Sequence, residues 1–299
     1  MEVPCEDYDI SIMIRAVSEV KELLTSRQFS TYSELDKEIT KTLQSYESLG
    51  DGFERFRVHL TKDAANSHDL KRSLTEMNAR CEAREKDFKR SQKDQINDML
   101  PFVGSTSRIL VHGCGGLLAL AIACAVQERK GVHFYICEGR PVTSKYPKGT
   151  GAALLKKAAE TPEGQKLKEK LLESCTIIPD AGVGAVMSKV DFVVMGAYCV
   201  TEHGGLVHST GSLQIATVAS AMNVPFYVLC ETFKFARIFP LSTTDLKQPE
   251  GSGDVPLVEF VPPSMITLVF SEKGIMPPSA VTDEMFRFHT ARFAPGKRK

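Results

Sequence analysis

What the 299-residue chain lacks narrows its function first. It has no net charge, since 37 Lys plus Arg balance 37 Asp plus Glu. No strong overall field draws it to nucleic acid or to an anionic membrane, and neither is expected as a direct partner. No stretch approaches the roughly 20 apolar residues that a membrane-spanning helix needs. The opening MEVPCEDYDI is acidic and lacks the basic and apolar segments of a secretory signal, so a cytoplasmic or nuclear location is expected, cytoplasmic in preference. Eight cysteines stand at 5, 81, 114, 124, 137, 175, 199 and 230, never spaced C-x-x-C. Reduced core thiols fit that pattern better than disulfides or zinc ligands. Apolar residues make up 42 % and charged residues 25 %, which suits a chain that buries a proper core.

What is present divides into two patterns. In YDISIMIRAVSEVKELL, residues Ile10, Met13, Ile14, Val17 and Leu24 recur at helical spacing, and a second stripe runs through Leu70, Leu74, Met77, Cys81 and Phe88. Ser33 before Glu34-Leu35-Asp36 reads as a helix N-cap, and Gly50-Asp51-Gly52 as a break. From PFVGSTS onward, short apolar strands alternate with helical stretches: RILVH, VHFYIC, CTIIP, DFVVMG, PFYVLC and SMITLVF. Each is followed by a helix-like segment, ETFKF among them. Continuous apolar strands joined by helices call for a parallel sheet covered on both faces. The expected architecture is α/β, with a helical domain over 1–105 and a doubly wound, mostly parallel, Rossmann-like domain over 106–299.

Such sheets bind ligands beyond the carboxyl ends of their strands. Those ends carry His112-Gly113-Cys114, Glu138-Gly139-Arg140, Asp180, Glu231-Thr232 and the stretch GAYCVTEHGGLVHSTGS. A nicotinamide site is one reading, with Gly113, Gly115 and Gly116 as the glycine turn and Glu138 as the ribose acid. However, Leu118 replaces the third glycine, which weakens it. Metal binding has Cys199 with His203 on one helical face, or His112 with Cys114. Neither offers the second pair of a closed zinc site, so no metal is expected. Cys114 at a helix start suits a nucleophile or a small residue packed in a tight turn.

The segments PFYVLCETFKFARIFPL, DFVVMGAYCVTEHGGLVHSTGS and VPPSMITLVFSEKGIMPPSAVTDEMFRFH resemble the regulatory alpha, beta and delta subunits of eukaryotic translation initiation factor 2B, alpha most of all. The resemblance covers most of 106–290, and the polar stretch from Ser144 to about Glu173 is longer than the family's connection. The superfamily also holds sugar-phosphate isomerases acting on methylthioribose 1-phosphate and ribose 1,5-bisphosphate. They carry G-A-D, a glycine turn and N-K-I-G-T, the aspartate being catalytic. Here Tyr198 takes the aspartate's place, His208 the asparagine's and Ser209 the lysine's. Gly113 takes the place of their cysteine, with Cys114 one residue late.

A tyrosine, with a pKa of about 10, replaces the carboxylate poorly at neutral pH. The resemblance thus implies no catalytic residue and no cofactor, in a chain that acts as a regulatory subunit of a guanine-nucleotide exchange complex. It implies a homodimer, partners in the beta and delta subunits, and the phosphorylated alpha subunit of factor 2 as the sensed ligand. Basic residues Lys71, Arg72, Arg80, Arg84, Lys86, Lys89 and Arg90 suit such a partner. Phe226, Phe233, Phe235, Ile238 and Phe239 are expected to divide between core and dimer interface. Glu138-Gly139-Arg140-Pro141 resembles the isomerases' phosphate-gripping turn. A sugar phosphate or nucleotide held by Gly113, Cys114, Arg140, Asp180, Tyr198, His208 and Lys234 is one expectation. An ion pair of Arg140 with Glu138, Asp180 or Glu231 is its rival, and an isomerase with rearranged groups, Cys114 as its acid or base, is the alternative activity.

Overall fold

The computed structural model describes residues 10–44, 60, 70–141, 146–249 and 254–290. Three helices come first: α1 (Ile10–Ser26), α2 (Tyr32–Gln44) and α3 (Leu70–Met99). Their apolar stripes meet as expected. Met13, Val17 and Leu24 bury with Leu35, Ile39, Met77, Cys81 and Phe88 in one cluster. The cap of α2 differs from expectation, because the helix begins ahead of Ser33. Thr31 is the cap, its hydroxyl accepting the Glu34 N–H at 3.2 Å and its carbonyl the Leu35 N–H. Thr31 serves as well as Ser33 chemically, and only the backbone path selects it. Gly50-Asp51-Gly52 lies outside the described residues.

Of the basic residues of α3, the exposed Arg72 and Arg90 pair with Glu76 and Asp94 one turn on, while Arg84 is partly buried, 5.1 Å over the Phe88 ring. The last turns of α3 belong to a different core. Ile96, Met99 and Leu100 pack with the first strand and the helix that follows it.

The sheet half runs β1 (Arg108–His112), α4 (Gly116–Glu128), β2 (His133–Cys137), α5 (Thr150–Glu160), α6 (Lys168–Ser174), β3 (Cys175–Ile178), α7 (Val183–Met187) and β4 (Phe192–Met195). It continues with β5 (Cys199–Thr201), β6 (Leu206–Ser209), α8 (Ser212–Ala221), β7 (Phe226–Leu229), β8 (Phe235–Ala236), β9 (Val258–Val261), β10 (Leu268–Ser271), β11 (Gly274–Met276) and α9 (Ala280–Thr290). Seven strands form the main sheet in the order β11-β10-β7-β4-β1-β2-β3. All neighbours are parallel except β10 and β11. The chain builds outward from β1 to β3, returns to β4 beside β1, and builds outward again. This is the doubly wound pattern, and its reversal point lies between β1 and β4. The helical runs in the long polar stretch after β2 are α5 and α6.

A second sheet of four short strands, ordered β8-β5-β6-β9, is absent from the sequence-based expectation. It corrects two readings. ETFKF is not a helix: a 3-10 turn at Thr232–Lys234 leads directly into β8. Cys199 lies on a strand, so it shares no helical face with His203. The expected aromatic surface also shrinks, since Phe226, Phe233, Phe235 and Ile238 are buried and Phe239 alone of the five is exposed. Among the described residues no helix is long and apolar enough to cross a membrane.

Candidate functional site

The site is built where the two sheets meet at the reversal point. β1 ends at His112, in register with Met195 at the end of β4. The second sheet stands beyond those ends and delivers Tyr198 just before β5, with His208 and Ser209 closing β6. His208 and Gly113 are in close contact. Gly113 has φ +88°, and a Cβ there would come within 2.4 Å of the His208 ring. Only glycine fits both the left-handed backbone and the space. Tyr198 also packs on His208, with ring centroids 4.8 Å apart and the planes tilted by 31°.

Hydrogen bonds assign the histidine tautomers. His112 Nε2 is 2.8 Å from the Thr210 carbonyl, so it carries the proton and donates. The Ser212 hydroxyl donates to the Ser209 carbonyl at 2.7 Å, so its oxygen is left to accept from His208 Nδ1 at 2.9 Å. Ser209 Oγ lies within 3.1 Å of His112 Nε2 and 3.2 Å of His208 Nδ1 and accepts from either. Glu259 of β9 takes the Gly211 and Leu213 N–H groups at 2.9 and 3.0 Å, stabilising the start of α8. Burial holds both imidazoles neutral. It pushes His208 well below the ordinary histidine range, with His112 and Lys234 adding to the effect. Burial also lowers His112, against the pull of Asp180.

This gives a pH prediction. Unfolded His208 takes up a proton below about pH 6.5, whereas the folded ring resists it. Stability is therefore full above that pH and falls as pH drops, by up to about 1.4 kcal/mol per pH unit from this group. Urea titrations at pH 7.5, 6.5 and 5.5 should show a shallower decline in His208→Asn than in the parent. Parallel declines would contradict the assignment.

Two ion pairs flank the histidines. Asp180, two residues beyond β3, accepts the Gly139 and Arg140 N–H groups at 2.9 and 2.7 Å. It thereby fixes the turn after β2. The Arg140 guanidinium meets Glu138 at 2.5 Å while its side chain stays 53 % exposed. The expected rival pairing is present, and the guanidinium is still open to solvent. Lys234 pairs with Glu231 at 2.8 Å with side chains only 7 % and 1 % exposed.

Cys114 follows Gly113 and is buried just ahead of α4. Its thiol belongs to the apolar cluster under α4, and its carbonyl accepts Lys157 Nζ at 3.0 Å. Leu118, at the missing glycine's position, is buried in the same cluster, so the tight approach of a dinucleotide turn has no room. A second cysteine, Cys137, also reaches the site. His112, Cys137 and Asp180 each offer a ligand atom within 4.8 Å of the others. The sequence signal for Cys137 is its place as the last residue of β2, aligned by parallel pairing with the ends of β1 and β3.

Tyr198, His208 and Ser209 therefore form a packed, hydrogen-bonded wall. Three comparisons bear on what that wall belongs to. Translation initiation factor eIF2B subunit alpha of Dictyostelium discoideum is 29 % identical over 95 % of this chain and 93 % of its own length. The methylthioribose-1-phosphate isomerase of Desulforamulus reducens is 27 % identical over 68 % of this chain and 53 % of its own. Among solved structures, the Pyrococcus horikoshii OT3 translation initiation factor eIF-2B shares the fold with a TM-score of 0.67 at 17 % identity, covering 93 % of this chain and 94 % of its own. The sequence pattern of the initiation factor 2 subunit family matches residues 7–278, and the chain belongs to that family.

Proposed function

We propose that this chain is a non-catalytic regulatory subunit of the guanine-nucleotide exchange complex that serves translation initiation factor 2. In this reading it is a cytoplasmic homodimer that bridges beta- and delta-type subunits and helps sense the phosphorylated alpha subunit of factor 2. The division at residue 105 separates the helices that would meet that partner from the sheet half that would dimerise. One observation carries the reading: likeness to an alpha subunit runs nearly end to end in both chains. The isomerase likeness spans about half of that enzyme. The wall supports it chemically. An enediol or hydride-shift isomerisation needs a positioned proton donor or acceptor. Tyr198 stacks on a neutral His208 where such a group would stand.

The same cleft retains the means to hold an anion without converting it. Arg140 keeps a planar fork suited to phosphate, and Gly113, Cys114, Asp180, Tyr198, His208 and Lys234 would line or support the ligand. Arg140 must exchange Glu138 for the phosphate, which makes the expected affinity modest.

The experiment is a pull-down of the chain from native cytoplasm with mass spectrometry of what accompanies it. Beta- and delta-type exchange-factor subunits are the expected companions. Their absence, together with turnover of methylthioribose 1-phosphate or ribose 1,5-bisphosphate that Cys114→Ser abolishes, would replace the reading with an isomerase. Calorimetry with a panel of sugar phosphates tests the cleft separately. Heat that Arg140→Ala removes supports the ligand, and no heat from any of them ends that part of the proposal.

A further inference from the structure

We propose that His112, Cys137 and Asp180 form a three-ligand site for a borderline-soft divalent cation of the zinc class. The three groups come from the carboxyl ends of the adjacent parallel strands β1, β2 and β3. Strand pairing therefore converges them, although they are far apart in the chain. This goes beyond the regulatory reading and does not depend on it.

The argument rests on an imbalance of donors. His112 is 1 % exposed, and its Nε2–H is spent on the Thr210 carbonyl. Its Nδ1 is then a bare lone pair, and that buried atom has no hydrogen-bond partner. The His112 ring lies close to Asp180, with ligand atoms of the two within 4.8 Å, and Asp180 is itself an acceptor. The two Asp180 oxygens take the Gly139 and Arg140 N–H groups, which leaves each a further lone pair. Cys137 adds a thiol to the same space. Two acceptors and a thiol thus converge, two of the three residues being buried, and the buried Nδ1 lone pair is left without a donor.

The donor set suits zinc chemistry. Neutral imidazole, thiolate and carboxylate are its ordinary ligands, and three of them leave the fourth tetrahedral position to an oxygen ligand. The outer contacts have the usual form as well. The second nitrogen of His112 is fixed by a carbonyl, and the carboxylate is fixed by two amides, which sets tautomer and orientation. Tetrahedral bonds of about 2.0–2.3 Å place ligand atoms about 3.3–3.8 Å apart. Atoms now within 4.8 Å of one another need close by at most about 1–1.5 Å. Burial, with Asp180 adding to it, pushes the Cys137 thiol up to about 12, so the free site holds that proton. Binding the cation forms the metal–sulfur bond and releases one proton per ion to solvent.

The test is titration of the full-length chain with cobalt(II), whose bond to thiolate gives a near-ultraviolet charge-transfer band. The expected result is one ion per chain, that band, and about one proton released near neutral pH. Cys137→Ser should abolish the band, Asp180→Asn should weaken binding at least tenfold, and Cys124→Ser should leave both unchanged. Absence of the band in the parent at several equivalents overturns the proposal even if a variant fails to fold. A band that survives Cys137→Ser overturns it as well. Neither outcome touches the regulatory reading, which depends on companion subunits.

Discussion

Lys234→Met is expected to lower the unfolding free energy by about 3–5 kcal/mol, because it strands a carboxylate in the interior. Lys234 and Glu231 flank the 3-10 turn between β7 and β8, where the two sheets join, and their charged atoms meet at 2.8 Å almost wholly out of water. In a chain of this size the loss corresponds to a fall in Tm on the order of 10 °C. The double variant Glu231→Gln with Lys234→Met should recover most of it, since removing both charges also removes the unpaired one. Denaturant titration of the parent, Lys234→Met, Glu231→Gln and the double variant measures the coupling directly. A single variant within about 0.5 kcal/mol of the parent would mean that the pair is not the buried one described. The same variant bears on the cleft. A lysine held by Glu231 must share its charge with any bound anion, so its loss should weaken sugar-phosphate binding less than Arg140→Ala does.

Phe233→Ala should cost about as much, roughly 3–5 kcal/mol, and should act mainly on the coupling of the two halves. Phe233 is a residue of the sheet half that buries in the helical cluster, with its ring edge-on to Phe88 at a centroid distance of 5.8 Å. Polar contacts reinforce the seam. Glu272, just after β10, accepts the Thr232 N–H at 3.0 Å and Gln95 Nε2 of α3 at 3.3 Å. Truncating Phe233 opens a cavity in the helical cluster and leaves the main-sheet core untouched. Hydrogen exchange is the informative measurement. Amides of α1 and the first half of α3 should exchange faster in the variant while β1, β4 and β7 keep their protection. Uniform acceleration through both halves would show that Phe233 is an ordinary core residue with no special role at the seam.

Much of this molecule is legible in its one-dimensional pattern. The stripes through Met13, Val17 and Leu24 and through Met77, Cys81 and Phe88 mark the faces that bury. The apolar runs RILVH, DFVVMG and PFYVLC become central strands covered on both sides. Periodicity succeeds there because each element is long enough for burial to repeat within it. It fails in the second sheet. There β5 has three residues and β8 two, and Gly204-Gly205 between β5 and β6 resembles an open loop. ETFKF has helix-compatible composition, yet the pairing of β8 with β5 sets its backbone. Tertiary context overrides so short a local preference.

The sequence by itself determined the helical and α/β character of the chain and its mostly parallel sheet. Only the tertiary structure decided that Cys137 joins His112 and Asp180, which nitrogen of each histidine carries the proton, and that Lys234 answers to Glu231. The reason is physical. Local spacing records which side of an element meets the core, whereas the site is made of strand ends brought together by sheet order and register. Those are set by pairing between segments that no short stretch of chain contains.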